Sequence, residues 1–223
     1  MDRTSFTNLA KIWQFSEERA MERQSAELRE ARERAEREGM PQGSAAQAEF
    51  LRLMILATAS TSIIAIGTGS VVEAVQMIEA LDGRGQLTAV DSSGQGVGLI
   101  RSLFHELADA TQTSLRAVNA PAGMFLPRLN ANDYDLIVVG GDHRSYHAAF
   151  DQAMRLLRGH GIIIFTDVMA LGTPQQNGGV LNPADRGDKA VAMRELLEDV
   201  QTDERFDSAL IPCGTGTLIA VRR

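Results

Sequence analysis

The chain has 223 residues, 44% of them apolar, with a formal charge of −7 and a pI near 5.2, which is enough for one α/β domain with an appendage and a buried core. This acidic balance offers no clustered basic face, so it weighs against nucleic acid as a partner. There is no membrane-length apolar run, no basic stretch leading into an apolar leader, and one cysteine, Cys213, which cannot form an internal disulfide; a soluble cytoplasmic protein is expected, acting on no membrane.

Residues 4–38 read as one helix. Phe6, Leu9, Ile12, Trp13 and Phe15 give its first part an apolar face, whereas 17–38 is dense in Glu and Arg, with Ala20, Met21, Ala26, Leu28, Ala31 and Ala35 as a narrow seam. The alternating signs supply i,i+4 pairs for a solvated second half. The apolar first part is expected to pack on a partner subunit or over the mouth of a site. Pro41 and Gly43 break the helix, and Ser44 caps the next one, over 45–58.

The stretch 62–91 carries the most information. A β-branched run, Ile63, Ile64, Ala65 and Ile66, enters the turn Gly67-Thr68-Gly69-Ser70. A helix with Val72, Val75, Met77, Ile78 and Leu81 at helical spacing follows, and then a short strand over 87–90 stops at Asp91. A glycine turn between strand and helix lets a ligand approach the backbone and aims the helix's free N–H groups at it, while an acid ending the second strand accepts ribose hydroxyls. The pattern is that of a nucleoside-type cofactor site; the other reading is a tight turn in a domain whose ligand sits elsewhere. Val72 stands where the dinucleotide fingerprint has its third glycine, which disfavours a plain NAD or FAD domain.

Downstream, 94–110 reads as a helix, 114–119 as a strand, 120–129 as a connection with Pro121 and Pro127, and 134–140 as a central strand running into Gly140-Gly141-Asp142-His143. A helix over 146–157 leads to a turn at Gly159-His160-Gly161 and to a buried strand over 162–166 that delivers Asp167. The loop 170–187, rich in Gly, Pro, Asn and Gln, suits a substrate loop. A helix over 189–200 follows, and then strands over 208–211 and 217–221 around Cys213-Gly214-Thr215-Gly216. This alternation predicts an α/β fold: a largely parallel sheet with helices on both faces and an antiparallel hairpin at one edge. Ligands of such sheets bind at the carboxyl ends of the strands, which here carry Gly67 to Ser70, Asp91, Asn119-Ala120, Gly140 to His143 and Thr166-Asp167.

The segments Ala65-Ile66-Gly67-Thr68-Gly69-Ser70, Leu87-Thr88-Ala89-Val90-Asp91, Leu126-Pro127-Arg128-Leu129, Tyr134-Asp135-Leu136-Ile137-Val138-Val139 and Leu156-Leu157-Arg158-Gly159-His160-Gly161, with a tail from Asn182-Pro183-Ala184-Asp185 to Leu210-Ile211-Pro212, carry a likeness. In this order they resemble the bacterial S-adenosylmethionine-dependent O-methyltransferases of the catechol and caffeoyl-CoA type, from about Ala31 to Arg223. The resemblance implies a Rossmann-like class I methyltransferase fold with a mostly parallel seven-stranded sheet. It also implies a helical extension over 1–44 that serves a homodimer or a lid, and a methyltransferase domain over 45–223. The cofactor would be S-adenosylmethionine, held by Gly67, Thr68, Gly69, Ser70, Asp91, Ser92, Ala120 and Asp142. Its methyl group would go to a hydroxyl or carboxyl of a small metabolite.

The sequence departs from the family at definite places. The family's acidic residue two before the first glycine is Ala65 here, its next glycine is Val71 and its small hydroxyl residue is Glu73. The family binds a divalent ion through an Asp ending the fourth strand and an Asp-Asn pair ending the fifth; Gly140, Thr166 and Asp167 stand there, so no family-type metal and no Mg²⁺ are expected. The family's general-base lysine aligns with His143, whose imidazole can take a proton from a phenol or carboxylic acid, with Thr166 and Asp167 orienting substrate. His147 lies one turn on and could join Asp142 or Asp167 in an improvised metal site. The other reading of the whole is a catalytically silent relative serving as a cofactor sensor or assembly partner, which Ala65, Val71, Glu73 and Gly140 favour.

Overall fold

Alternating β-branched runs and amphipathic segments build a three-layer α/β structure in a computed structural model that describes residues 3–40, 42–67, 71–171 and 178–223, with side chains from residue 7 onward. Three helices precede the sheet: α1 (Arg3–Glu22), α2 (Ala26–Arg37) and α3 (Ala45–Thr58). The alternating part comprises β1 (Ser62–Ile66), α4 (Val71–Leu81), β2 (Gln86–Asp91), α5 (Gly94–Leu107), β3 (Ser114–Asn119), α6 (Ala122–Phe125), β4 (Tyr134–Val139) and α7 (Arg144–Leu156). It closes with β5 (Leu157–Phe165), α8 (Asp188–Thr202), β6 (Phe206–Ile211) and β7 (Thr217–Arg222). The sheet is ordered β3-β2-β1-β4-β5-β7-β6, parallel except where β7 meets β5 and β6.

The central strands are buried on both faces and therefore read as unbroken apolar runs. Ile63, Leu87, Leu136, Val138 and Ile164 face α2, α3, α4 and α5, whereas Ile64, Val90, Ile137, Val139 and Phe165 face α6, α7 and α8. Asp135 fastens the entry to the sheet. Its carboxylate accepts from the backbone N–H groups of Thr61 and Ser62 at 2.8 and 2.9 Å and from Arg158 at 2.8 Å.

Two local expectations are corrected. Residues 4–38 form two helices, because the chain turns at Arg23 and Gln24 and Ser25 restarts it by accepting the Leu28 N–H on its hydroxyl at 3.1 Å. The narrow apolar seam of the charged α2 packs into the core through Leu28, Ala31 and Ala35, whereas Ile12 and Phe15 of the apolar α1 are 58% and 63% exposed. Gly159-His160-Gly161, expected as a turn, lies within β5 as a bulge: Tyr134 pairs with Leu157 but Leu136 with Ile162, and His160 takes φ 62°.

α1 is fastened to α3 by Glu17. Its carboxylate accepts from the Ser44 hydroxyl at 2.6 Å and from the N–H groups of Ala45 and Ala46 at 2.5 and 3.2 Å, an anion at a helix N-terminus. Among the described residues no helix is long and apolar enough to cross a membrane.

Candidate active site

The carboxyl ends of β1 and β4 pinch together at Gly67. This residue has φ 89° and its N–H donates to Val90 O at 2.9 Å; a β-carbon there would lie 2.4 Å from Gly140 O, so only glycine fits. Two adjoining cavities meet at Met40, Gly67 and Gly141. The first, about 510 Å³, lies between the 39–44 connection, Gln47, Glu73 and the Gly140, Thr166 and Asp167 strand ends. The second, about 450 Å³, is bounded by Asp91, Ser92, Ser93, Gln95, Asp142 and Arg144. This crevice at the strand ends is where topology puts ligands in an open α/β sheet.

Gly67, Asp91, Ser92 and Asp142 are thus brought together around the second cavity, and Thr166 and Asp167 line the first. Asp91 accepts the Ser93 N–H at 2.9 Å, which turns the chain after β2. Ala120 donates its N–H to Asp91 O at 2.9 Å but lines neither cavity. Thr68, Gly69 and Ser70 lie outside the described residues. Asp142 binds Arg144 through its backbone N–H at 3.0 Å and its guanidinium at 2.5 Å, and this guanidinium holds its carboxyl below the usual range. His143 occupies the first position before α7, its Nδ1 3.6 Å from Asp142 Oδ1; it lies at the rim and lines neither cavity. His147 faces α8 instead, its Nε2 3.4 Å from Asp199, so it does not join Asp142 or Asp167.

Thr166 is buried; its N–H and its hydroxyl both donate to Val139 O, at 2.8 and 3.2 Å. Asp167 takes a left-handed backbone, φ 54°. Its Oδ2 is ion-paired with Lys189 at the start of α8, and its Oδ1 is buried without a hydrogen-bond partner among the described residues. Lys189 Nζ also sits 5.8 Å from the centre of the Tyr146 ring. Tyr146 is fully buried and donates to Thr166 O at 2.8 Å. Its phenol is pushed well above its ordinary value, first by burial and then by the charges of Asp167, Glu73 and Asp142.

These residues do not fit a divalent ion of the kind the resemblance implies. Hard cations need several oxygen ligands. Here one carboxylate already holds an ammonium, one hydroxyl is spent on a backbone carbonyl, and the third position is a glycine whose β-carbon would meet Thr166 Oγ1 at 2.8 Å. Gln47, which lines the first cavity, and Lys189 and Tyr146, which hold Asp167 and the Thr166 carbonyl, were not disclosed by the sequence. The one signal available was Glu73, a charge directly behind the glycine turn. Burial, then the charges of Glu17 and Glu73, push the Cys213 thiol up, which disfavours its thiolate.

A family model described as O-methyltransferase matches residues 16–223. A provisionally named O-methyltransferase of Mycobacterium avium (strain 104) is 31% identical over 199 residues, covering 89% of this chain and 86% of that protein. Among solved structures, the O-methyltransferase of Bacillus cereus in complex with SAH superposes with a TM-score of 0.79 at 17% identity, over 96% of this chain and 99% of that one. TomG of Streptomyces achromogenes, an O-methyltransferase of tomaymycin synthesis solved in complex with SAM, gives 0.74 at 18% identity over 90% and 91%. At such identities the superpositions establish the Rossmann-like methyltransferase fold.

Proposed function

Because the chain belongs to the O-methyltransferase family, we propose that it moves a methyl group from S-adenosylmethionine to a hydroxyl or carboxylate oxygen of a small metabolite, without a divalent metal. The observation that carries this reading is the junction of two cavities at Gly67, one bounded by Asp91 and the other by Thr166 and Asp167. S-adenosylmethionine supplies a methyl on a sulfonium that departs as a neutral thioether. In this reading Asp91 accepts the ribose hydroxyls and Gly67 lets the ligand reach the backbone. Asp167, a carboxylate in the wall of the first cavity, would accept the acceptor's hydroxyl proton, whereas His143 would have to reach inward from the rim. Lys189 supplies a fixed positive charge beside the Asp167 carboxylate. Transfer from a sulfonium depends mainly on near-attack positioning, which these residues provide.

Calorimetric titration of the EDTA-treated protein with S-adenosylmethionine and S-adenosylhomocysteine tests this reading. Equal binding with and without Mg²⁺, and methyl transfer to phenols or carboxylic acids that EDTA does not abolish, are expected. No binding under either condition would sink it and leave the silent relative; transfer only with Mg²⁺ would sink its metal-free part.

We also propose a homodimer formed through the Ile12, Trp13 and Phe15 face of α1, and a cytoplasmic location supported by the single cysteine. Cell fractionation checks the location.

A further inference from the structure

Every side chain of α1 from Thr7 to Ser16 is exposed, so the first half of this helix stands clear of the rest of the chain. A helical arm of this length is marginal in water unless something covers it. Leu9, Trp13, Glu17, Ala20 and Gln24 share one face at helical spacing. The later part of that face is covered: Ala20 and Gln24 are buried, and Glu17 accepts the hydroxyl of Ser44, which lines the first cavity. Trp13 and Leu9 lie about 6 and 12 Å beyond Glu17 along the helix, so the bare part of the same face overhangs the mouth of that cavity.

A second apolar patch borders the same cavity, beyond Asp167 and Thr215. Met169 donates its N–H to the carbonyl of the cavity-lining Thr215 at 3.0 Å, and Val180 donates to Met169 O at 3.1 Å. A β-carbon on Gly179 would lie 2.1 Å from Met169 O, so glycine alone lets the two segments close up. The buried Asp185 then pins Gly179 by accepting its N–H at 2.9 Å. Leu171 and Leu181 flank this platform and are 46% and 72% exposed. Leucines held bare on a pinned backbone form a contact surface.

We propose that in the homodimer the α1 arm of each copy packs on the Leu171 and Leu181 platform of the other, so that each copy roofs its partner's first cavity. The inference rests on the homodimer reading and names the surface that α1 meets. Arm and platform are both bare within a single copy, so the arm does not close on its own platform. Both lie at the carboxyl ends of the strands, so a two-fold axis between facing mouths covers all four patches in one closed contact. Charge agrees with a second copy as the occupant. Residues 3–16 include Arg3 and Lys11 and no acidic residue, whereas the chain as a whole carries −7, so a basic arm approaches an acidic molecule.

The experiment cross-links full-length protein with a short bismaleimide in a Cys213→Ser background, so that the introduced thiols are the only ones. Ile12→Cys places a thiol on the arm and Leu181→Cys one on the platform, and Trp13 and Leu171 stay in place to hold the contact. Where either variant sediments as a monomer before reaction, Phe15→Cys and Leu171→Cys replace the pair. Mixing the arm variant with the platform variant is expected to give at least tenfold more covalent dimer than either variant alone. A link within one chain of the double variant, read as an unchanged mass, overturns the proposal in favour of an arm that folds onto its own platform. Links chiefly between two arm thiols, or no links from a protein that sediments as a dimer, overturn it while leaving the homodimer standing. A monomeric wild type removes the homodimer and this inference together.

Discussion

Asp135 shows how far one side chain carries the fold. Burial opposes its charge, but the N–H groups of Thr61 and Ser62 and the Arg158 guanidinium outweigh burial and hold its carboxyl below the usual range. A depressed folded value means a stabilising contribution that is full above the ordinary carboxylate value of about 4 and lost as pH falls through the lower folded value. Asp135→Ala should therefore cost about 2 kcal/mol at neutral pH, roughly 4–8 °C in melting temperature for a chain of this length. The gap should close at the acid end of a thermal series; a gap independent of pH would refute the account. At the opposite end of the strands, Lys189→Met removes the counter-ion of Asp167. Methyl transfer should fall about tenfold or more, a loss of roughly 1.4 kcal/mol of transition-state stabilisation, with S-adenosylmethionine affinity retained in calorimetry. Asp91 and Asp167 were legible because strand ends are where chemistry collects. Lys189 was not, because its reach to Asp167 depends on how the chain between them folds, which no local pattern encodes.

At the scale of elements, Glu17 joins two helices that the sequence presents as independent. It lies within α1 yet satisfies the open N-terminus of α3. Glu17→Ala should cost about 1–2 kcal/mol in urea unfolding and should make α1 the first site of limited proteolysis; an unchanged midpoint would show that the cap is dispensable. Element types were legible where an unbroken apolar run marked a buried strand, as in β1 and β4, or a helical period held, as in α3. The break at Ser25 escaped notice because the Glu and Arg alternation runs on both sides of it and masks a single capping residue. The bulge at His160 escaped because two flanking glycines signal a turn with equal force.

The molecule as a whole was the most legible level. Unbroken apolar strands alternating with helices admit few arrangements, and a crevice at the carboxyl ends follows from the topology. What holds that crevice in shape was hidden, since Gln47 meets Thr217 across 170 positions of sequence. The proposed dimer belongs to this scale. Trp13→Asp with Phe15→Asp should halve the mass seen by sedimentation while leaving S-adenosylmethionine binding intact; a wild-type monomer would refute it.

Trp13 is also the chain's single tryptophan, more than half exposed on α1 and lining neither cavity. The protein thus carries a built-in fluorophore that observes one helix and is blind to the chemistry. Its emission should begin at the red wavelengths of a hydrated indole and move to the blue as concentration rises and a second copy covers it. A colour change on adding a nucleoside at fixed concentration would have another meaning: filling the crevice shifts the N-terminal helix, by way of Glu17 and the start of α3.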